Sequence, residues 1–334
     1  MKAQPTSVIG AGAWGTALAR LLAKQGVPTM IWAREPDVVE QIQVHHENRA
    51  FLPGIDLGSD LRATGDLALA FAHGEVIVNA VPTQHMRSVL ERAGAALTQA
   101  DVIVTVSKGI ELETLETPDE ILSELGVPQR RIVVLSGPSF AAEVGADQPT
   151  AVVAAGRDPV RVERVQEMFS TGAFRVYSSH DVAGAELGGA LKNVIAIAVG
   201  IADGLGLGRN TRAALITRGL AEITRLGVAR GGDPRTFAGL SGMGDLVLTC
   251  TGDLSRNRTV GLALGSGREL DDILGEMDEV VEGVLTSRSA QQLAARLGVE
   301  MPITEQVCAV LHEGKDPARA VLDLTSRELR NEFW

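Results

Sequence analysis

Three glycines, Gly10, Gly12 and Gly15, stand between the apolar run Val8-Ile9 and a helix-forming stretch that starts at Trp14. This spacing restricts the chain more than any other feature. Each glycine has its own physical task in a strand–turn–helix that accepts a pyrophosphate. Gly10 permits the tight turn, Gly12 has no Cβ to hold the backbone away from the phosphates, and Gly15 lets the helix pack against the strand. The first turn of the helix then presents unpaired N–H groups to the anion. Glycine turns also arise by chance, so the setting decides what this one means.

The setting is a βαβ unit. Ser7–Ile9 reads as a buried strand and Trp14–Gln25 as a helix with Leu18, Leu21 and Leu22 on its packing face. Gly26 is the stop, and Thr29–Trp32 the second strand. Further apolar runs at Val76–Val81, Val102–Val106 and Ile132–Leu135 alternate with helical stretches, and Thr150–Ala155 and Phe174–Tyr177 extend the series. This predicts an α/β fold: a doubly wound, mainly parallel Rossmann domain over residues 1–185 that binds a dinucleotide. From 186 to 334 helices dominate, so an all-α second domain is expected, and a chain of 334 residues is long enough for both. The loop Asn48–Gly54 is more apolar than a plain connector; it either covers the cofactor or packs down.

Charge narrows the partners. With 31 basic and 42 acidic side chains the formal charge is −11, which disfavours nucleic acid and anionic membrane surfaces. A small anionic substrate remains compatible with a local basic cluster. Cys250 and Cys308 are the only cysteines, and the histidines have no metal-ligand spacing, so no metal is implied. Residues Met1–Thr6 form no signal-peptide core, and no apolar run reaches the length of about 18 residues that a membrane span needs. A soluble cytoplasmic protein is the expectation.

Chemistry-bearing residues fall at strand ends and in the second half. Arg34, two residues past the second strand, can pair with a ribose 2′-phosphate and favours NADP, while Glu35 leaves NAD open; Arg34 is otherwise a solvated surface residue. Ser107-Lys108-Gly109 and Ser136-Gly137-Pro138-Ser139 follow successive strands, where open α/β sheets bind ligands. Lys108 there can hold an anion or polarise a carbonyl. Lys192 is expected in the first turn of the nearly all-apolar helix Gly188–Ile201. Burial and the positive helix end would both favour its neutral amine and suit it to proton exchange, unless the side chain snorkels to water. The helix Thr211–Leu226 has Leu215, Ile216, Leu220 and Ile223 on a core face. Gly242-Met243-Gly244-Asp245 leaves one carboxylate among glycines. Ser255-Arg256-Asn257, near a helix start, reads as a phosphate cradle or a basic surface turn.

These motifs, together with Leu191-Lys192-Asn193-Val194-Ile195-Ala196 and Val281-Glu282-Gly283, resemble those of the bacterial-type NAD(P)-dependent glycerol-3-phosphate dehydrogenases over essentially the whole chain. The resemblance implies reversible reduction of dihydroxyacetone phosphate to sn-glycerol 3-phosphate, the phospholipid precursor. It implies cofactor contacts from Ala13, Trp14, Arg34, Lys108, Ala141, Arg256, Val280 and Glu282. It implies substrate contacts from Lys108, Gly137, Ser139, Lys192, Asp245, Ser255, Arg256 and Asn257, with Lys192 as proton donor and acceptor. A homodimer accords with it. The rival enzymes are related dehydrogenases of 3-hydroxy or 2-keto acids, whose substrates carry a carboxylate instead of a phosphate. A sensor that holds NAD(P)H without turnover is a rival of another class, although a sensor needs no buried proton donor.

Overall fold

A computed structural model describes residues 4–277, 280–329 and 331–332. Eight strands form one sheet: β1 (Thr6–Ile9), β2 (Thr29–Trp32), β3 (Arg62–Thr64), β4 (Val76–Asn79), β5 (Val102–Thr105), β6 (Ile132–Ser136), β7 (Thr150–Gly156) and β8 (Phe174–Ser179). Their spatial order is β3-β2-β1-β4-β5-β6-β7-β8. The first six run parallel, β7 reverses against β6, and β8 is parallel to β7. The reversal puts the end of β6 and the start of β7 at the same edge of the sheet, so the connection 137–149, with its short helix Ala141–Gly145, need not cross back along the sheet.

Strands β1, β2, β4, β5 and β6 are buried along their whole length, as parallel strands covered on both faces must be. Alternate residues feed two cores. Val8, Val78 and Val104 meet Leu18 and Leu22 on one face, while Ile9, Ile77 and Ile103 meet Phe71, Met86 and Leu90 on the other. The edge strand β3 is absent from the sequence-based expectation. It is three residues long with an exposed Arg62, too short for a period of two to register.

The glycine turn follows β1. Gly10 has φ +113°, and a Cβ there would lie 2.8 Å from the Ala80 carbonyl oxygen beyond β4. A Cβ on Gly15 would lie 2.0 Å from the Gly10 carbonyl oxygen, so the helix Ala13–Lys24 seats directly on the turn. At Gly12 nothing lies within 4 Å of that position, and this side of the turn is open.

The second half is built around the helix Val182–Gly204, which is buried almost all round. Gly200 and Gly261 let it touch the helix Arg256–Gly265 backbone to backbone: a Cβ on Gly261 would come within 2.1 Å of the Ile197 carbonyl oxygen. Among the described residues this is the one helix long and apolar enough to cross a membrane, and its apolar window is wholly buried within the protein. It begins earlier than the expected Gly188, because Asp181 caps it by accepting from the Gly184 N–H at 3.0 Å. Lys192 therefore sits well inside the helix and not in its first turn. The next helix, Arg209–Ala229, buries Ile223 fully, whereas Leu215, Ile216 and Leu220 are only half-buried, so the expected core face is narrower. Glu222 on the same helix accepts from the N–H groups of Ile303 and Thr304 at 2.7 and 3.2 Å and so caps the helix Pro302–His312. Cys250 and Cys308 are buried free thiols.

Candidate active site

The carboxyl ends of β1, β4, β5 and β6 line one edge of the sheet, and the strand order reverses between β1 and β4. Crevices at such switch points bind ligands. The glycine turn follows β1, Thr83 follows β4, Lys108 follows β5 and Gly137–Ser139 follow β6. The helix Val182–Gly204 faces them with Lys192.

A carboxylate joins two lysines from opposite halves of the chain. Asp245 follows a π-helical turn at Leu240–Gly244 and opens the helix Asp245–Thr251. One of its oxygens accepts from Lys192 Nζ at 2.6 Å and the other from Lys108 Nζ at 2.7 Å. Lys108 also donates to the Gly137 carbonyl at 3.1 Å, and Lys192 to Thr249 Oγ1 at 2.7 Å. Asp245 is 1% exposed and Lys192 7%. Burial pulls the Lys192 ammonium down to about 8; the Asp245 charge opposes this and Lys108 adds to it. The shift has the expected direction but not the expected second cause, since the helix N-terminus is too distant to act.

A second chain of contacts runs from Lys192 to the sheet. Asn193 Oδ1 accepts from Asn257 Nδ2 at 3.1 Å, and Asn257 Oδ1 accepts from the Gly283 N–H at 3.0 Å. Next to Gly283, Glu282 accepts from the Thr83 N–H at 3.2 Å and lies against Gly109. The Asn257 amide is thus engaged at both ends within the protein. Ser255 caps the helix Arg256–Gly265, its Oγ accepting from the Arg258 N–H at 3.3 Å. The Arg256 guanidinium donates to the Val280 carbonyl at 3.2 Å. Ser139 Oγ donates to the Gly137 carbonyl at 2.9 Å, and Ala141 opens the short helix Ala141–Gly145.

A dinucleotide fits these residues. Trp14 Nε1, Thr83 Oγ1 and Glu282 Oε2 are buried polar atoms without a protein partner, each in the first turn of its helix: Ala13–Lys24 after β1, Thr83–Glu91 after β4, and Glu282–Leu297. Burial pushes the Glu282 carboxyl up to about 7. Arg34 lies beyond β2, its side chain 79% exposed and paired with Glu35 at 2.6 Å.

The model of the NAD-dependent glycerol-3-phosphate dehydrogenase N-terminus matches residues 5–161, and that of the C-terminus residues 181–322. The chain belongs to this family. It is 56% identical to a Geobacter sulfurreducens glycerol-3-phosphate dehydrogenase using NAD(P)+, over 98% of both chains. It is 52% identical to the Myxococcus xanthus protein of the same name, again over 98% of each. The crystal structure of glycerol-3-phosphate dehydrogenase from Coxiella burnetii superposes with a TM-score of 0.93 at 40% identity, covering 97% of this chain and 99% of that one. As a family member the chain is an NAD(P)-dependent oxidoreductase acting on a CH–OH group.

Sequence reasoning passed over two residues that the structure adds to this cluster. Thr249 is four residues after Asp245, a spacing that puts both on one helix face, but that reading requires knowing where the helix begins. Thr83 is a solitary residue after β4 whose backbone N–H only the folded crevice brings to Glu282.

Proposed function

We propose that the crevice catalyses reversible reduction of dihydroxyacetone phosphate to sn-glycerol 3-phosphate, with Lys192 as the proton donor. The observation that carries this is the Lys192–Asp245–Lys108 bridge, which holds a buried ammonium of lowered pKa beside a second cation at the sheet edge. NAD(P)H, when bound, supplies the hydride to the carbonyl carbon. The Lys192 ammonium gives its proton to the carbonyl oxygen, and Lys108 lends positive charge as that oxygen becomes an alkoxide. Asp245 and Thr249 fix the direction of the Lys192 amine. Gly137, Ser139, Ser255 and Arg256 hold the substrate together with Asn257, whose side-chain amide is taken up by Asn193 and Gly283 and which therefore serves through its backbone N–H, with the phosphate at the N-terminus of the helix Arg256–Gly265. Gly10, Gly12, Ala13, Trp14, Gly15, Arg34, Lys108, Ala141, Arg256, Val280 and Glu282 hold NADP or NAD.

The same reading divides the chain into a nucleotide-binding part, 1–185, and a substrate-binding part, 186–334. It takes the protein as a cytoplasmic homodimer that is not inserted in a membrane. The test is oxidation of NADPH and NADH with dihydroxyacetone phosphate, set beside ketopantoate and with 3-hydroxyisobutyrate assayed in the oxidative direction. Turnover confined to the phosphate ester is expected. Turnover with either carboxylate alone would move the chain to a neighbouring activity, and cofactor binding without turnover would make it a sensor.

A further inference from the structure

Asn48 is 0% exposed although it lies in a loop, and both hydrogen bonds that its side-chain NH2 donates go to the region of the glycine turn. Its Nδ2 donates to the Ala11 carbonyl at 2.9 Å and to Thr16 Oγ1 at 2.9 Å, while its Oδ1 accepts from the Phe51 N–H at 3.1 Å. Thr16 Oγ1 in turn donates to the same Ala11 carbonyl at 3.2 Å. The loop that carries Asn48 is itself anchored. Leu52 and Leu57 are buried in the core beneath the sheet, and Ile55 lies against Gly145. Asn48 O accepts from the Leu52 N–H at 2.8 Å, and His46 O from the Leu57 N–H at 2.9 Å.

The Ala11 carbonyl and the Gly12 N–H belong to one trans peptide unit, so they point in opposite directions. Holding the carbonyl inward, against Asn48 and Thr16, turns the Gly12 N–H outward, and glycines on both sides of Ala11 leave this peptide plane free to rotate without such a hold. We propose that Asn48 is a positioning residue for the cofactor, which orients the Ala11–Gly12 peptide so that its N–H meets the pyrophosphate. The loop 48–54 thereby acts as a fixed brace under the turn, not as a cover that closes over the ligand. The proposal rests on the glycine turn being the NAD(P) site.

The test is direct titration of the enzyme with NADPH and NADH, followed by nucleotide fluorescence without substrate, for wild type, Asn48→Ala and Thr16→Val. Saturable binding by wild type establishes the underlying reading, and its failure would overturn that reading first. Asn48→Ala is expected to raise both dissociation constants by the same factor, about tenfold, as for the loss of hydrogen bonds that fix a charged ligand's donor. The KM for dihydroxyacetone phosphate should move far less. Thr16→Val, which leaves the loop anchor to Phe51 intact, should shift both constants in the same direction by a smaller factor and covers the case in which Asn48→Ala does not fold. A plain loop anchor would instead lower the melting temperature with the nucleotide constants unmoved. That outcome, or an effect on NADPH alone, overturns the proposal.

Discussion

Lys192 holds its proton less tightly than a lysine in water because burial removes the solvent that would stabilise its charge. The sign of the resulting pH dependence follows. Reduction needs the ammonium, so kcat/KM for dihydroxyacetone phosphate falls as pH rises through about 8, and oxidation of glycerol 3-phosphate, which needs the free amine, rises through the same limb. Asp245 favours the charged form, so Asp245→Asn should move the limb to lower pH; an unmoved limb in a pH–rate profile would assign it to another group. Lys192→Ala should keep cofactor binding and reduce turnover by about 10²–10⁴-fold, the usual contribution of a positioned acid–base group, measured by NADPH oxidation at saturation. Arg34 is a separate matter. Its guanidinium is exposed and leans on Glu35, so its contribution is confined to a ligand that reaches the end of β2. Arg34→Ala should raise the KM for NADPH several times more than that for NADH, and equal changes would remove it from 2′-phosphate recognition.

At the scale of elements, helix starts organise the second half. Asp181 begins the helix that carries Lys192, Ser255 begins the helix Arg256–Gly265, and Glu222 closes the start of Pro302–His312 from a neighbouring helix. Burial pushes the Glu222 carboxyl up from 4.5 to about 7. Between those values the unfolded chain releases this proton while the folded protein keeps it, so its contribution to stability declines as pH rises through that window. Glu222→Gln keeps an oxygen for the Ile303 N–H and has no proton to lose. Calorimetry should show a flatter dependence of melting temperature on pH between about 4.5 and 7, with stability at pH 5 lower by about 1 kcal/mol for the weakened bonds to Thr304. An unchanged slope would mean that Glu222 does not titrate there.

At the scale of the molecule, the site depends on two cores meeting. Lys108 and Thr83 follow strands β5 and β4 of the sheet, and Asp245, Lys192 and Glu282 stand on helices of the second half. Glu282→Ala removes a group far along the chain from the glycine turn, yet NADPH and NADH should both bind about tenfold more weakly in a fluorescence titration, because its carboxylate sits with Thr83 over the crevice. Unchanged affinity would exclude Glu282 from the cofactor site.

The alternation of apolar runs with helices was enough to define the doubly wound sheet, because parallel strands buried on both faces read as continuous Val/Ile runs and tolerate little else. The glycine spacing likewise carried its own geometry, since Gly10 and Gly15 leave no room for a Cβ. Three things were out of reach. β3 is too short to have a period, the true start of the Lys192 helix hinged on one capping aspartate, and the partners of Lys192, Lys108 and Asn48 lie far from them in the chain. Local pattern records which face of an element is apolar, and so the elements and the turn were determined by the sequence alone. Which side chains share a buried carboxylate depends on how two cores dock. Only the tertiary structure decided that Asp245 would bridge two lysines, that the Asn257 amide would face inward, and that Asn48 would hold the turn with which the fold begins.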